Sequence, residues 1–333
     1  MARTLMIGLT ESGQETKINE DAFLCGGRIY PDMLGGNEEQ SISSGKYHQL
    51  YMVAEGFGGP GAGDLASRMI LRIGNQLLDQ IDDYKNPDFD FKLFTQDLLA
   101  QAHSSIKEMV SSKFSHEVGC SFAMLLIDAN SCYTLNVGNT TINLSRNGKI
   151  YRLTEKAKSE IPEQYLGKLS CETLPLPDSM NKSDLQPGDV FVLSSSGFNK
   201  NYRSKDLRDD LSKQDAFAAI VRQAQINSGA RDKGPNRTIV AVKTLDLQLE
   251  LPQGPSPVEA ERKRVFSGET PSEKDIQKTE VEMDNYNRYS NEFDSDFVQA
   301  PTGKQKAGVF FRSLLLGFVL GLAILLIAWF FIL

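Results

Sequence analysis

Residues 313–333 read SLLLGFVLGLAILLIAWFFIL, 21 consecutive positions without a charge. No other feature constrains the chain as tightly, because such a run offers no polar stripe to water. At about 1.5 Å per residue it makes a helix roughly 30 Å long, which matches the hydrocarbon core of a bilayer. Lys304, Lys306 and Arg312 precede it, and positive flanks stay on the cytoplasmic side. The opening MARTLMIGLT lacks the long apolar stretch of a signal peptide. The expectation is a single-pass C-terminal transmembrane helix, a tail anchor in the lipid bilayer, with residues 1–312 in the cytoplasm. Gly317 and Gly321 form a G-x-x-x-G inside the span, a spacing that lets two helix backbones approach and suits a homodimer contact.

Ahead of the span, residues 251–312 are polar, Pro-bearing and mixed in charge, with few aliphatic side chains. Such a segment cannot bury enough apolar surface to offset its ordering entropy, so it reads as a flexible linker. Its basic cluster, Arg262 to Arg264, adjoins Glu259 and Glu261 and reads as a solvated face. The whole chain holds 36 basic and 43 acidic residues, a net charge of −7. That balance argues against nucleic-acid binding through a broad basic face. Four cysteines without C-x-x-C spacing argue against a zinc knuckle or a disulfide framework, and fit small core residues in a reducing compartment.

Residues 1–250 are left to form the folded domain. Strand-like runs are numerous: LMIGLT, YMVAEG, SFAMLLID, CYTLNVG, TINLSR, KIYRLT, DVFVLSSS and TIVAVK. Asn147-Gly148, between two of them, signals a two-residue hairpin. Leu65, Met69, Ile73, Leu77 and Ile81 recur every four residues and predict a helix over 63–84. Phe94, Leu98, Ala102, Ile106 and Val110 predict another over 91–113, and Leu211, Phe217 and Ile220 a third over 207–224. Strands grouped around hairpins with helix pairs between them indicate an α+β domain, antiparallel sheets covered by helices. His48, His103 and His116 show no ligand spacing, and His103, near the stripe of the second helix, reads as a boundary residue. The Gly-rich stretch 56–63 opens a helix without the Lys of a P-loop, so it reads as a tight turn packing strand against helix.

Read in order, six segments resemble the PPM-type (type 2C) metal-dependent serine/threonine phosphatases, especially their bacterial members. Asn19-Glu20-Asp21-Ala22 resembles the N-E-D box that supplies a metal-binding Asp. Val53-Ala54-Glu55-Gly56-Phe57-Gly58-Gly59 with Gly63-Asp64-Leu65-Ala66-Ser67 resembles V-x-D-G-x-G-G…G-E-x-A-S, and Gly119-Cys120-Ser121 sits where G-T-T begins the next strand. Asn136-Val137-Gly138-Asn139 with Leu144-Ser145-Arg146-Asn147-Gly148 resembles V-G-D-S-R…L-x-R-x-G. Asp189 to Gly197 resembles D-x-L-L-L-C-S-D-G, and Pro235-Asn236-Arg237-Thr238 resembles D-N-x-T. The resemblance implies two antiparallel β-sheets sandwiched by helices. It also implies a site in which carboxylates hold two Mg²⁺ or Mn²⁺ ions that activate water against a phosphoester.

Against that pattern the chain departs at the site itself. Asp21 is kept, and Glu55 replaces the second Asp with a side chain one methylene longer. Ser196 stands at the third Asp position, Pro235 at the fourth, and Asn139 at the Asp of the V-G-D hairpin. Thr16 stands where the family places an Arg that clamps phosphate, with Lys17 beside it. Two hard divalent cations need several negative oxygens, and two of the four core carboxylates are missing. The expected metal ligands are therefore a residual set, Asp21, Glu55 and the Gly56 backbone, that binds Mg²⁺ or Mn²⁺ weakly if at all, and no cofactor is expected. Asn236 offers a neutral oxygen, and Asp232 a carboxylate three residues before Pro235.

The function expected from this reading is a membrane-anchored phosphatase-like binding or regulatory module, a pseudophosphatase. Its partner would be a cytoplasmic or membrane protein such as a phosphoprotein or kinase. Two alternatives stay open: an active, divergent metal-dependent phosphatase using Asp21, Glu55 and Asp232, and a structural subunit of a membrane assembly. The insertion at 26–49, between two of the metal boxes, reads as a long loop able to form a new surface.

Overall fold

The structure is a computed structural model that describes residues 1–247, except 15–17, 33–35, 60, 114–117, 156–161, 163, 170–173, 201 and 231. The expected linker, the membrane span and the Gly317–Gly321 contact lie outside the described residues, as do Thr16 and Lys17. Among the described residues, no helix is long and apolar enough to cross a membrane.

In chain order the strands are β1 (Ala2–Glu11), β2 (Asp21–Cys25), β3 (Arg28–Tyr30), β4 (Glu38–Ser44), β5 (His48–Phe57), β6 (Gly119–Asp128), β7 (Ser131–Val137), β8 (Thr141–Arg146), β9 (Lys149–Arg152), β10 (Ser179–Asp184), β11 (Val190–Ser194) and β12 (Arg237–Leu247). The helices are α1 (Gly63–Asp79), α2 (Phe91–Lys113), α3 (Ser196–Asn199), α4 (Ser204–Leu211) and α5 (Phe217–Gly229). One sheet has the order β4-β1-β12-β11-β8-β9, the other β10-β7-β6-β5-β2-β3. Every pairing within them is antiparallel.

Three apolar layers hold this arrangement. Between the sheets pack Phe23, Tyr51, Val53, Leu125, Phe191 and Val240. On the outer face of the second sheet, Met52, Ala54 and Met124 meet Ile70, Phe94 and Leu98 from α1 and α2. On the outer face of the first, Ile7, Val192 and Ile239 meet Phe198, Leu207 and Val221. Covered on both faces, β6 is a continuous apolar run, buried from Gly119 through Ile127. Each fully buried side chain of this size contributes about 1.5–3 kcal/mol. The expected strand–helix layering is therefore present, with two sheets inside and helices outside.

Local signals explain several elements. Asn147 (φ 53°) and Gly148 (φ 72°) both adopt positive φ between β8 and β9, the pair of angles that a type I′ hairpin demands. All five predicted stripe residues of α2, Phe94, Leu98, Ala102, Ile106 and Val110, are fully buried. The predicted helix over 63–84 stops at Asp79 and gives way to a 3-10 turn, Ile81–Tyr84. Its buried face centres on Ala66, Ile70, Ile73 and Leu77, with Leu65 and Met69 only half-buried.

The third predicted helix is two. Leu211 and Phe217 are six positions apart, which breaks the three-and-four spacing, so α4 ends and α5 begins between them. His103 is a second correction: it is 5% exposed, and its Nδ1 accepts the Gly167 N–H at 3.2 Å. Gly167, in the chain beyond β9, covers the middle of α2 at this position. The 26–49 insertion is built into the sandwich. It supplies β3 to the edge of one sheet and β4 to the edge of the other.

Candidate functional site

The site forms where β2 begins and β5 ends, beside the strand ends of the first sheet. Asn19 shapes the approach to β2. It is 1% exposed, donates through Nδ2 to Thr10 Oγ1 at 2.7 Å and accepts the Asp21 N–H at 3.1 Å. The antiparallel register then sets Asp21 directly opposite Glu55, so two carboxyls are cross-strand neighbours in a buried position. Like charges in that relation destabilise a sheet.

The turn after β5 brings the start of α1 against the strand end. A Cβ on Gly56 would stand 1.9 Å from the Gly63 carbonyl oxygen, so only glycine lets the strand end pass the start of α1. Gly56 N–H donates to the Glu20 carbonyl at 3.1 Å. Its expected role as a turn residue is thus filled, and its amide is committed. Asp64, in the first turn of α1, caps this loop by accepting the Gly61 N–H at 2.7 Å.

Electrostatics follow from burial. Desolvation raises Asp21 above the ordinary carboxylate range, and the neighbouring Glu55 raises it further; hydroxyls of Ser195 and Thr238 pull the other way. Desolvation likewise raises Glu55, opposed by its two hydrogen bonds from Ser196. Glu20 is pushed up to about 7, first by burial and then by Asp64. Glu20 Oε1 and Asp21 Oδ2 are buried and find no hydrogen-bond partner among the described residues.

Ser196 comes from the other sheet. It follows β11, and its N–H donates to Glu55 Oε2 at 2.9 Å while its hydroxyl donates to Glu55 Oε1. Both carboxylate oxygens of Glu55 are therefore engaged by one residue. Pro235 packs beside it: a Cβ on Gly197 would lie 3.0 Å from the Pro235 Cβ. Asn236 turns away, its Oδ1 accepting the Gly13 N–H at 2.8 Å. Asp232 is engaged too, with Lys200 Nζ at 3.1 Å and the Gly234 N–H at 2.8 Å. Asn139 joins the same strand ends indirectly, donating its N–H at 3.2 Å to Oγ of Ser121, which lies opposite Glu55 on β6.

The structure thus gathers Asp21, Glu55, Gly56, Ser196 and Pro235 with Glu20 of the N-E-D box, and adds Ser195 and Thr238, which the sequence reading did not place in the site. A run of three serines at a strand end was the only signal for Ser195. Among the described residues, no group of three or more His, Cys, Asp or Glu is arranged to hold a metal ion.

A sandwich of two antiparallel sheets between helices, with acids at the strand ends, defines the phosphatase class that the sequence resembles. The family model for protein phosphatase 2C matches residues 40–241, more than half of the chain, and the chain belongs to that family. Solved structures agree on the fold. The serine/threonine phosphatase of S. agalactiae is 20% identical, with a TM-score of 0.55 over 72% of this chain and 99% of that one. PppA, a regulatory component of the type VI secretion system of Pseudomonas aeruginosa, is 22% identical, with a TM-score of 0.56 over 73% and 98%. PstP of Mycobacterium tuberculosis is 17% identical, with a TM-score of 0.56 over 73% and 100%, and the PstP catalytic domain has been seen with two manganese ions. No curated protein sequence matches significantly.

Proposed function

We propose that this chain is a membrane-anchored, cytoplasmic PPM-type pseudophosphatase whose domain acts by binding. The observation that carries the reading is the engagement of Glu55 by Ser196. The two-manganese complex of PstP is the reference for what this fold can hold. When bound, such ions supply an activated water for attack on phosphorus. Here Ser196 and Pro235 bring no carboxylate, and Ser196 occupies both oxygens of Glu55. Asn236 and Asp232, the nearby substitutes, are turned to Gly13 and to Lys200. The donor set does not fit a two-ion centre.

What remains is a phosphatase fold able to hold a protein partner at a bilayer through residues 251–333. A phosphoprotein or kinase suits the ancestry of the surface, and Gly317 and Gly321 suit a helix partner or a second copy of the chain.

A second reading, an active but divergent phosphatase, draws on Glu20 Oε1 and Asp21 Oδ2, two buried oxygens without partners that could hold a single Mg²⁺ or Mn²⁺. Hydrolysis of a small phosphoester and of a phosphothreonine peptide decides between them. The full-length chain in detergent is assayed with and without millimolar Mn²⁺, beside an Asp21→Asn/Glu55→Gln control. Turnover no higher than the control is expected. Metal-dependent turnover that the control abolishes would overturn the pseudophosphatase reading.

A further inference from the structure

A cavity of about 380 Å³ lies between the first sheet and the helices α3 and α4, and none of the acids of the degenerate site lines it. Its size falls within the roughly 300–1,000 Å³ of small-molecule sites. Asn143 on β8 and Val192 on β11 stand opposite each other and form its floor.

Three features give the cavity a chemistry. The first is charge: Arg152, Arg203 and Lys205 line it, and no carboxylate does. Arg203 shares its charge with Asp206 at 3.2 Å, whereas Arg152 and Lys205 have no carboxylate partner among the described residues. Arg152 is also held in place. Its Nε donates to the Thr154 carbonyl, and its Nη2 to Thr141 Oγ1 and the Glu155 carbonyl. That orients the guanidinium and leaves both Nη1 donors without a partner among the described residues. Although the residue as a whole is exposed, partial desolvation of its guanidinium disfavours the charged form, a cost that an incoming anion would offset.

The second feature is Asn143, which is 5% exposed and makes no side-chain hydrogen bond among the described residues, its Oδ1 fully buried. Its Nδ2 finds no acceptor among the described residues, and its place in the cavity floor makes it a donor for an anion's oxygen. Third, one wall is aromatic: the rings of Phe198 and Tyr202 stand 4.9 Å apart, and both line the cavity.

We infer that this cleft binds a small organic phosphate monoester, its phosphoryl oxygens at Arg152, Asn143 and Lys205 and its carbon body against Phe198 and Tyr202. The Nη1 donors of the held guanidinium and the Lys205 ammonium give phosphoryl oxygens charge-assisted hydrogen bonds. Two unpaired cations fit a dianion better than the single charge of a carboxylate. Asp21, Glu55, Ser196 and Pro235 do not line the cleft, so the inference goes beyond the proposed function and holds whether or not that reading does.

The test is titration of the full-length chain in detergent and EDTA with phenyl phosphate, followed by calorimetry, beside inorganic phosphate and a phosphothreonine peptide. Saturable one-site binding of phenyl phosphate is expected, with inorganic phosphate about tenfold weaker for want of the aromatic contact. Arg152→Gln weakens binding about tenfold or more, Lys205→Gln severalfold, and Arg28→Gln, an exposed residue on β3, not at all. Arg152 and Lys205 are exposed, so these variants fold even if Asn143→Ala does not. Three results overturn the inference: no binding at millimolar phenyl phosphate, binding indifferent to Arg152→Gln, or binding of the phosphopeptide alone.

Discussion

Glu55→Gln is the perturbation that most directly probes the acid pair. Asp21 and Glu55 face each other across two strands, where Cβ atoms stand about 4.5–5.5 Å apart. Two like charges about 5 Å apart, at an effective dielectric constant of about 20, repel by about 3 kcal/mol. A glutamine keeps an acceptor for the Ser196 N–H and a donor for the Ser196 hydroxyl. Exchanging charged for neutral hydrogen bonds there costs about 1 kcal/mol. The net gain with both acids ionised is about 2 kcal/mol, or about 4–8 °C in Tm for a domain of this size. Its pH dependence has a definite sign. Carboxyls raised in the folded state hold protons that the unfolded chain has already released, so they favour folding at low pH. That advantage is lost as pH rises from about 4.5, the ordinary Glu value, through the raised value of about 7 for Glu20 and the raised range of the pair. Thermal unfolding of the full-length chain in EDTA should show the variant stabilised at pH 8 and little changed at pH 5. Equal shifts at both pH values, or a lower Tm at pH 8, would refute the reasoning.

Other perturbations have equally definite outcomes. Gly56→Ala forces a Cβ onto the Gly63 carbonyl; a loss of about 3 kcal/mol or more, or no folded protein, is expected by denaturant unfolding. Asp189 is 1% exposed and binds Arg146 through two hydrogen bonds of 2.7 and 2.6 Å. Asp189→Ala should cost about 3–5 kcal/mol by leaving that cation unpaired. Leu98→Ala, in the fully buried face of α2, should cost about 2–5 kcal/mol by the same measurement. Ser196→Asp with Pro235→Asp restores two carboxylates: millimolar Mn²⁺ should raise the Tm of this variant by several degrees, since an ion that binds only the folded state stabilises it. No Mn²⁺ response in the variant would count against the assignment of these two positions.

Much of this architecture was legible because local chemistry dictated it. Asn147-Gly148 admits few turns other than the one seen, and the four-residue stripe of α2 survives intact in the core. β2 and β10 were not anticipated. The first is five residues long and opens on an acid, and the second, SMNKSD, is a polar edge strand with no apolar alternation. The split of α4 from α5 was written in the spacing between Leu211 and Phe217, which the search for a single stripe passed over. At the site, the register sets Asp21 opposite Glu55, the two acids that the motifs single out. The bond from Ser196 to Glu55 spans 141 positions and depends on how the two sheets face each other, which no local pattern encodes.

That same bond is a clasp between the two halves of the sandwich. β5 belongs to one sheet and Ser196 extends from the other, so their junction at this end is made from the chain's own atoms. Under the proposed function, a fold fastened in this way needs no ion at this end. Chelation should leave its unfolding rate unchanged, and its lifetime in a cell should be indifferent to rises and falls in free magnesium or manganese.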